Sequence, residues 1–249
     1  MIQPRLFGSY QQISTVSEAD LHGLFDLFRR HYDHVTFDQF RTDFSEKDYV
    51  ILLKDEEQNV VRGFSTLVIY DRVVLHEPFK LLFSGDTVID QGYWGQQALS
   101  KTWCGLAGKI KAECPDTKLY WLLITKGHRT YLYLSLFFHE FYPRYDQPTP
   151  PFNQEVIHDF GRFKYGRNYD PARGIISFET PHGQLRDDLA DIPASQLKNP
   201  HIRFFLEKNT HYRQGDELIC LTRLDAENMK SLAKTHFLVG QESPTYQPA

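Results

Sequence analysis

Apolar and polar positions follow two periods along this chain, and the contrast is sharpest between residues 81 and 124. Leu81-Leu82-Phe83 runs through Ser84-Gly85-Asp86-Thr87 into Val88-Ile89, with the β-branched and aromatic content of a buried strand. A polar turn, Asp90-Gln91-Gly92-Tyr93-Trp94-Gly95-Gln96, follows. Leu99, Trp103, Leu106, Ala107 and Ile110 then recur at helical spacing and draw one apolar stripe. Leu119-Tyr120-Trp121-Leu122-Leu123-Ile124 carries no charge and reads as a strand buried on both faces, as parallel strands are. Strand, helix, strand in this order predicts a parallel pair joined by a right-handed crossover. The first amides of that helix lack internal partners, so a Gly-containing turn leading into it makes a place for an anion.

The same patterns extend in both directions. Leu6 to Ile13 predicts an edge strand, and Ser17-Glu18-Ala19-Asp20 a capping box before a helix marked by Leu21, Leu24, Phe25, Phe28 and Tyr32. Thr36 with Gln39 opens a second helix carrying Phe37, Phe40 and Phe44. Tyr49–Leu53 and Val60–Tyr70, joined by a polar turn, form an antiparallel meander with Leu81–Ile89. An aromatic helix is expected over 126–142, ended by Pro143. The proline-rich stretch 146–151 is the best candidate boundary. Beyond it the pattern gives a helix over Phe152–Tyr165, strands at Gly174–Phe178 and Glu217–Leu224, a helical stretch between them, and a last helix from Asp225 through Phe237. The tail 241–249 reads as disordered.

Composition narrows the function classes. A net charge of −4 without a basic block argues against nucleic-acid binding. The N-terminus lacks the apolar core of a signal peptide, and no run approaches the roughly 18 apolar residues of a membrane span. Three widely spaced cysteines give no disulfide framework or structural zinc site, and no metal-ligand spacing occurs among the 11 histidines. A reduced, cytoplasmic protein is expected.

Val88-Ile89-Asp90-Gln91-Gly92-Tyr93-Trp94-Gly95-Gln96-Gln97-Ala98-Leu99 resembles the signature of the Gcn5-related N-acetyltransferase (GNAT) superfamily. There a strand ends in a Tyr-Arg-Gly-Gln-Gly-apolar-Gly turn that opens a helix. Tyr93, Gly95 and Gln96 match. Trp94 stands in place of Arg, Gln97 in place of Gly, and Leu99 where Gly or Ala is common. The order of elements from about Leu6 to Pro143 fits as well.

The resemblance implies an α/β (α+β) fold. Its central sheet is mixed and mostly antiparallel, with a parallel strand pair splayed at the donor site and helices on both faces. Residues 1–145 would form the acyltransferase core, and 146–240 would complete the sheet around a helical insertion. It also implies an acyl-coenzyme A co-substrate, acetyl by default. The leucine-rich and aromatic fourth helix, with Trp103 and Trp121, extends the choice to a longer fatty acyl group, delivered by coenzyme A or acyl carrier protein.

In the same terms, the amides of Gly95, Gln96, Gln97 and Ala98, with Tyr93 and Trp94 in the turn, would hold the diphosphate. The backbone of Val88 and Ile89 would pair with the pantetheine arm. Tyr133 is the first choice for the acid that protonates the departing thiolate, and Tyr131 the second. Asp86, His128, His139 and Glu140 are candidates for the base that deprotonates the attacking amine, with Asp86 favoured by its place in an apolar strand. The acceptor would be a primary amine of a small molecule or a peptide side chain. A catalytically inactive protein that binds an acyl thioester or a partner is the alternative. The oligomeric state stays open, a homodimer included.

Overall fold

The computed structural model describes residues 5–180 and 184–242. β1 (Leu6–Gln12) leads into α1 (Glu18–Phe28), where Ser17 Oγ accepts the Asp20 amide at 3.1 Å and donates to the Asp20 carboxylate. β2 (Tyr32–Asp33) is followed by α2 (Phe37–Ser45), capped by Thr36 on the Gln39 amide. β3 (Tyr49–Asp55), β4 (Val61–Val74) and β5 (Glu77–Ile89) form the antiparallel meander. α3 (Ala98–Glu113), β6 (Lys118–Thr125) and α4 (His128–Phe137) follow. Next come α5 (Pro151–Tyr165), β7 (Tyr169–Asp170), β8 (Ile175–Ile176) and β9 (Gln184–Leu185). The chain continues with α6 (Asp187–Ala190), α7 (Pro200–Lys208), β10 (Glu217–Arg223) and α8 (Ser231–Glu242).

Eight strands form one sheet in the order β1-β3-β4-β5-β6-β10-β8-β7, and β2 pairs with β9 apart from it. β5 and β6 run parallel, and every other pairing in the sheet is antiparallel. The expected mixed, mostly antiparallel sheet is therefore the one found.

The β5–β6 ladder runs only from Phe79/Lys118 to Ser84/Leu123. Beyond Ser84, β5 continues alongside β4, while β6 continues alongside β10. At the parting point the β4–β5 register slips between Ser65 and Leu67, so Gly85 and Asp86 together oppose Thr66. This is a bulge, which bends the strand and re-aims its side chains.

Both faces of the sheet are covered. Leu82, Trp121, Leu123 and Leu218 pack with Leu106 of α3, Leu134 of α4, Phe205 of α7 and Phe237 of α8. On the opposite face, Leu81, Phe83, Leu122 and Ile219 pack with Ile157 and Phe160 of α5. Leu24, Phe28, Phe40 and Phe44 of α1 and α2 cover Val50, Phe64 and Val88 nearby.

Several boundaries depart from the sequence reading: α1 stops at Phe28 and Tyr32 lies in β2, while β4 runs on to Val74 and β5 begins at Glu77. The helix expected through Tyr142 stops at Phe137, because Phe138 bridges to Met229 and Tyr142 to Leu221. Those backbone groups are taken by a distant segment before Pro143 is reached. The strand expected over Gly174–Phe178 narrows to Ile175–Ile176, since Tyr142 holds the β10 edge at Leu221. The last helix begins at Ser231. The Asp225 carboxylate instead caps a turn, accepting the amides of Glu227 and Asn228. Of the tail, Gln241 and Glu242 belong to α8, and residues 243–249 lie outside the described residues.

α8 lies on α3 at backbone contact. A Cβ at Gly108 would meet the Phe237 carbonyl oxygen at 1.9 Å, and one at Gly240 would meet that of Gly105 at 2.0 Å. Carbonyl oxygens cannot swing aside as a flexible side chain can. Gly108→Ala and Gly240→Ala are each expected to destabilise the fold by about 1–3 kcal/mol, the usual range for overpacking. Gly92→Ala, with nothing within 4 Å of the added carbon, is the control. Urea unfolding reads the difference, and unchanged midpoints for the first two variants would show that the helices can separate freely.

Candidate active site

A cavity of about 690 Å³ opens where β5 and β6 part. Its wall includes Ser84, Trp103, Trp121, Tyr133 and Phe137 from the face covered by α3 and α4. It also includes Tyr32, Asp43, Asp86, Lys164 and Tyr165, from the segments around α2 and α5. One space thus joins the two faces of the sheet at the point where its ladder ends.

The turn between β5 and α3 has two kinds of residue. Tyr93 and Gln96 anchor it: the Tyr93 hydroxyl donates to the Asp55 carboxylate, and Gln96 Oε1 accepts the Leu6 amide at 2.8 Å. The hydrogen bond from Tyr93, then the Gln58 amide, hold the Asp55 carboxyl below its usual range. Gly95 has φ +84°, a conformation that favours glycine, and an added Cβ there would meet nothing within 4 Å. Gln97 is the N-cap of α3 and makes no side-chain cap. The first amides of α3, from Ala98 onward, have no intrahelical acceptor and point past the helix end.

Trp94, the residue in place of Arg, reaches back to β5. Its indole N–H donates to the Ile89 carbonyl at 2.8 Å, and His31 Nε2 lies 3.2 Å from the same oxygen. The Arg129 guanidinium stacks on the Trp94 ring at 4.3 Å and donates to the Leu189 carbonyl at 2.6 Å. The carbonyl expected to meet a pantetheine amide is thus already an acceptor within the protein. Val88 packs its side chain in the core beneath α1 and α2.

The two tyrosines of α4 separate by helical geometry. Tyr133 lines the cavity and stacks on Phe137 with ring centroids 5.8 Å apart. Burial raises its pKa, so the phenol keeps its proton, and its hydroxyl has no hydrogen-bond partner among the described residues. Tyr131 points the other way, as expected for residues about 200° apart around a helix. It is fully buried against Phe141 and Phe205 and donates to the Pro143 carbonyl at 3.0 Å.

Asp86 stands in the bulge. Burial first, then Asp43, push its carboxyl up to about 6, partly offset by Lys47 and Lys126. Its Oδ2 is buried without a hydrogen-bond partner, and so is Thr66 Oγ1 across the bulge. Asp43 is held by buried Lys47 at 2.8 Å, and Lys126 is held by Glu217 at 3.1 Å. Burial, with Asp86 and Glu217 contributing, also raises the Tyr32 phenol.

The other candidate bases lie elsewhere. His128 is buried at the start of α4, with Nε2 3.2 Å from Gln196 Oε1, and is not part of the cavity wall. Burial, then Arg129, push its pKa down to about 4. His139 and Glu140 are exposed beyond α4, where the Glu140 carbonyl accepts from Thr222 and Asn228. Among the described residues no group of three or more His, Cys, Asp or Glu side chains could hold a metal ion. Sequence reasoning missed Asp43, Tyr32 and the Ser84 hydroxyl. The one available hint for Asp43 was Lys47 four positions on, a helical ion-pair spacing.

No family model matches the sequence, and no curated protein matches it. Solved structures resemble the chain at low identity. A conserved Enterococcus faecalis V583 protein of unknown function, described as a probable N-acyltransferase, shares 11% identity at a TM-score of 0.41. That match covers 65% of this chain and 44% of the other, so the chain spans less than half of that protein's length. The GNAT family N-acetyltransferase YhbS of Escherichia coli, in complex with CoA, shares 15% at a TM-score of 0.36, covering 55% and 72%. Arabidopsis thaliana glucosamine-6-phosphate N-acetyltransferase shares 13% at 0.37, covering 58% and 98%. None of them assigns a role to a residue of this chain.

Asp86 gives the site a pH signature. A carboxyl near 3.9 in the unfolded chain and about 6 in the fold favours the native state while protonated. That contribution is complete below about pH 4 and is lost as pH rises through 6. Asp86→Asn is therefore expected to raise the melting temperature above pH 6, with the gain vanishing toward pH 4. A pH-independent shift in thermal scans would show that Asp86 does not ionise in the fold as described.

Proposed function

We propose that this chain is an N-acyltransferase of the Gcn5-related type, moving an acyl group from an acyl thioester to a primary amine. The observation that carries the reading is the single cavity through the parted strands. It has a protonated phenol, Tyr133, on one side and the raised carboxyl of Asp86 on the other. The resemblance of residues 88–99 to the donor signature adds the co-substrate, coenzyme A.

In this reading the first amides of α3 hold the diphosphate and the thioester enters between β5 and β6. The amine arrives from the α2 side as an ammonium and gives one proton to Asp86, whose carboxyl sits near the pH at which a base works best. Nitrogen attacks the carbonyl carbon, the C–S bond breaks, and the thiolate takes a proton from Tyr133. The second proton lost by nitrogen replaces it. Holding both reactants in one cavity supplies orientation without covalent help from the protein. Leu99, Trp103, Phe137 and Phe138 give the donor side an apolar wall that suits an acyl chain longer than acetyl as well. A coenzyme A or a carrier protein could present it, and the acceptor is a small amine or a peptide side chain.

One observation favours a second reading, an acyl-thioester-binding protein without turnover: the Ile89 carbonyl is capped by Trp94. The two readings separate by assay. Acetyl-, palmitoyl- or carrier-linked donors are expected to raise the melting temperature, since they bind only the folded state. Tyr133→Phe is expected to slow single-turnover thiol release roughly 10²–10⁴-fold, the range for a positioned proton donor. Tyr131→Phe is expected to cost about 1 kcal/mol of stability for its lost hydrogen bond while leaving the rate alone. Donor binding with no thiol release from any amine in a panel would support the second reading. No thermal shift with any donor would remove both.

A further inference from the structure

Ser84 is the last β5 residue paired with β6, and its side chain reaches the cavity. Its Oγ receives two indole N–H groups, Trp103 Nε1 at 3.0 Å and Trp121 Nε1 at 2.9 Å. An indole N–H can only donate, so both bonds end on the serine oxygen. A hydroxyl has two lone pairs and one proton. With both lone pairs filled, the remaining direction belongs to the proton. No acceptor among the described residues takes it. Trp103 on α3 and Trp121 on β6 are buried and packed 4.5 Å apart, so the hydroxyl is held rather than free to turn.

We propose that Ser84 is a committed hydrogen-bond donor to the thioester carbonyl oxygen, stabilising the oxyanion formed when the amine attacks. The inference rests on the acyl-transfer reading. Three considerations select the carbonyl oxygen. The arriving ammonium has no lone pair to accept a bond, and a neutral amine bonded to Ser84 would be a poorer nucleophile. The thiolate has Tyr133. Ser84 lies two residues before Asp86 in β5, where the reacting carbon must pass between the faces of the sheet. No base touches Ser84, so it lends a hydrogen bond and keeps its proton: the C–N bond forms, the oxyanion collapses, and the C–S bond breaks. Accepting two N–H bonds polarises the O–H and strengthens its donation. A bond to a developing charge in a buried site is worth more than one in water.

The test uses acetyl-coenzyme A and palmitoyl-coenzyme A, each isotope-labelled at the thioester carbonyl carbon. Infrared difference spectra of the bound donor report the hydrogen bond directly. Ser84→Ala is expected to move the carbonyl band to higher frequency and to lower kcat roughly 10²–10³-fold, the loss typical of one oxyanion donor. Donor affinity is expected to hold, because the bond strengthens mainly in the transition state. Trp121→Phe keeps the hydroxyl but frees one lone pair, so the band is expected to broaden and kcat to fall less. This variant decides the matter if Ser84→Ala does not fold. A Ser84→Ala protein that binds donor with an unmoved band and full turnover per folded molecule overturns the proposal. So does an unchanged band in Trp121→Phe. Failure of the wild-type protein to bind either donor instead overturns the acyl-transfer reading, and this inference with it.

Discussion

Past Ser84 and Leu123 the backbone groups that a longer β5–β6 ladder would pair with one another face a cavity instead. Backbone N–H and C=O groups are obligatory hydrogen-bonding groups, and leaving them buried without partners is costly. The outer neighbours continue past the parting point: β4 follows β5 to Ile89 across the bulge, and β10 follows β6 to Thr125. The bulge at Gly85-Asp86 turns the strand at the same step. A Cβ at Gly85 would come within 2.7 Å of Thr66 Oγ1 and 2.8 Å of the Lys47 side chain, so a larger residue there would have to displace those side chains. Parting strands, bulge and buried carboxyl are one structural event.

The charges around the α2 end follow from that event. Three lysines each have a carboxylate partner: Lys47 with Asp43, Lys126 with Glu217 and Lys164 with Glu46. Asp86 is the fourth carboxylate of the group and has no lysine paired to it among the described residues. Burial, then Asp43, raises its carboxyl, and Lys47 and Lys126 lie near enough to moderate the shift.

How far the sequence reveals this depends on the range of the interactions. β5, α3 and β6 are legible because each carries its own periodicity, and α1 and α2 because Ser17 and Thr36 cap them locally. The ends of α4 and β8 are not legible, because Tyr142 is captured by Leu221 and no local pattern announces a bridge across that distance. At the site, Tyr133 and Asp86 are visible as chemistry on recognisable elements. The Ser84 arrangement is not: a serine in an apolar run signals nothing until two tryptophans from different elements converge on it.

Trp94 shows how a departure in a signature can be structural. An Arg at that position would add a charge to the turn. The indole adds none, but it recruits Arg129 from α4 to its face and so brings a guanidinium to the turn by another route. It also occupies the Ile89 carbonyl, and Arg129 extends the contact to Leu189. Trp94 thereby couples β5 to α6: its indole holds the Ile89 carbonyl, and the Arg129 stacked on its ring holds that of Leu189.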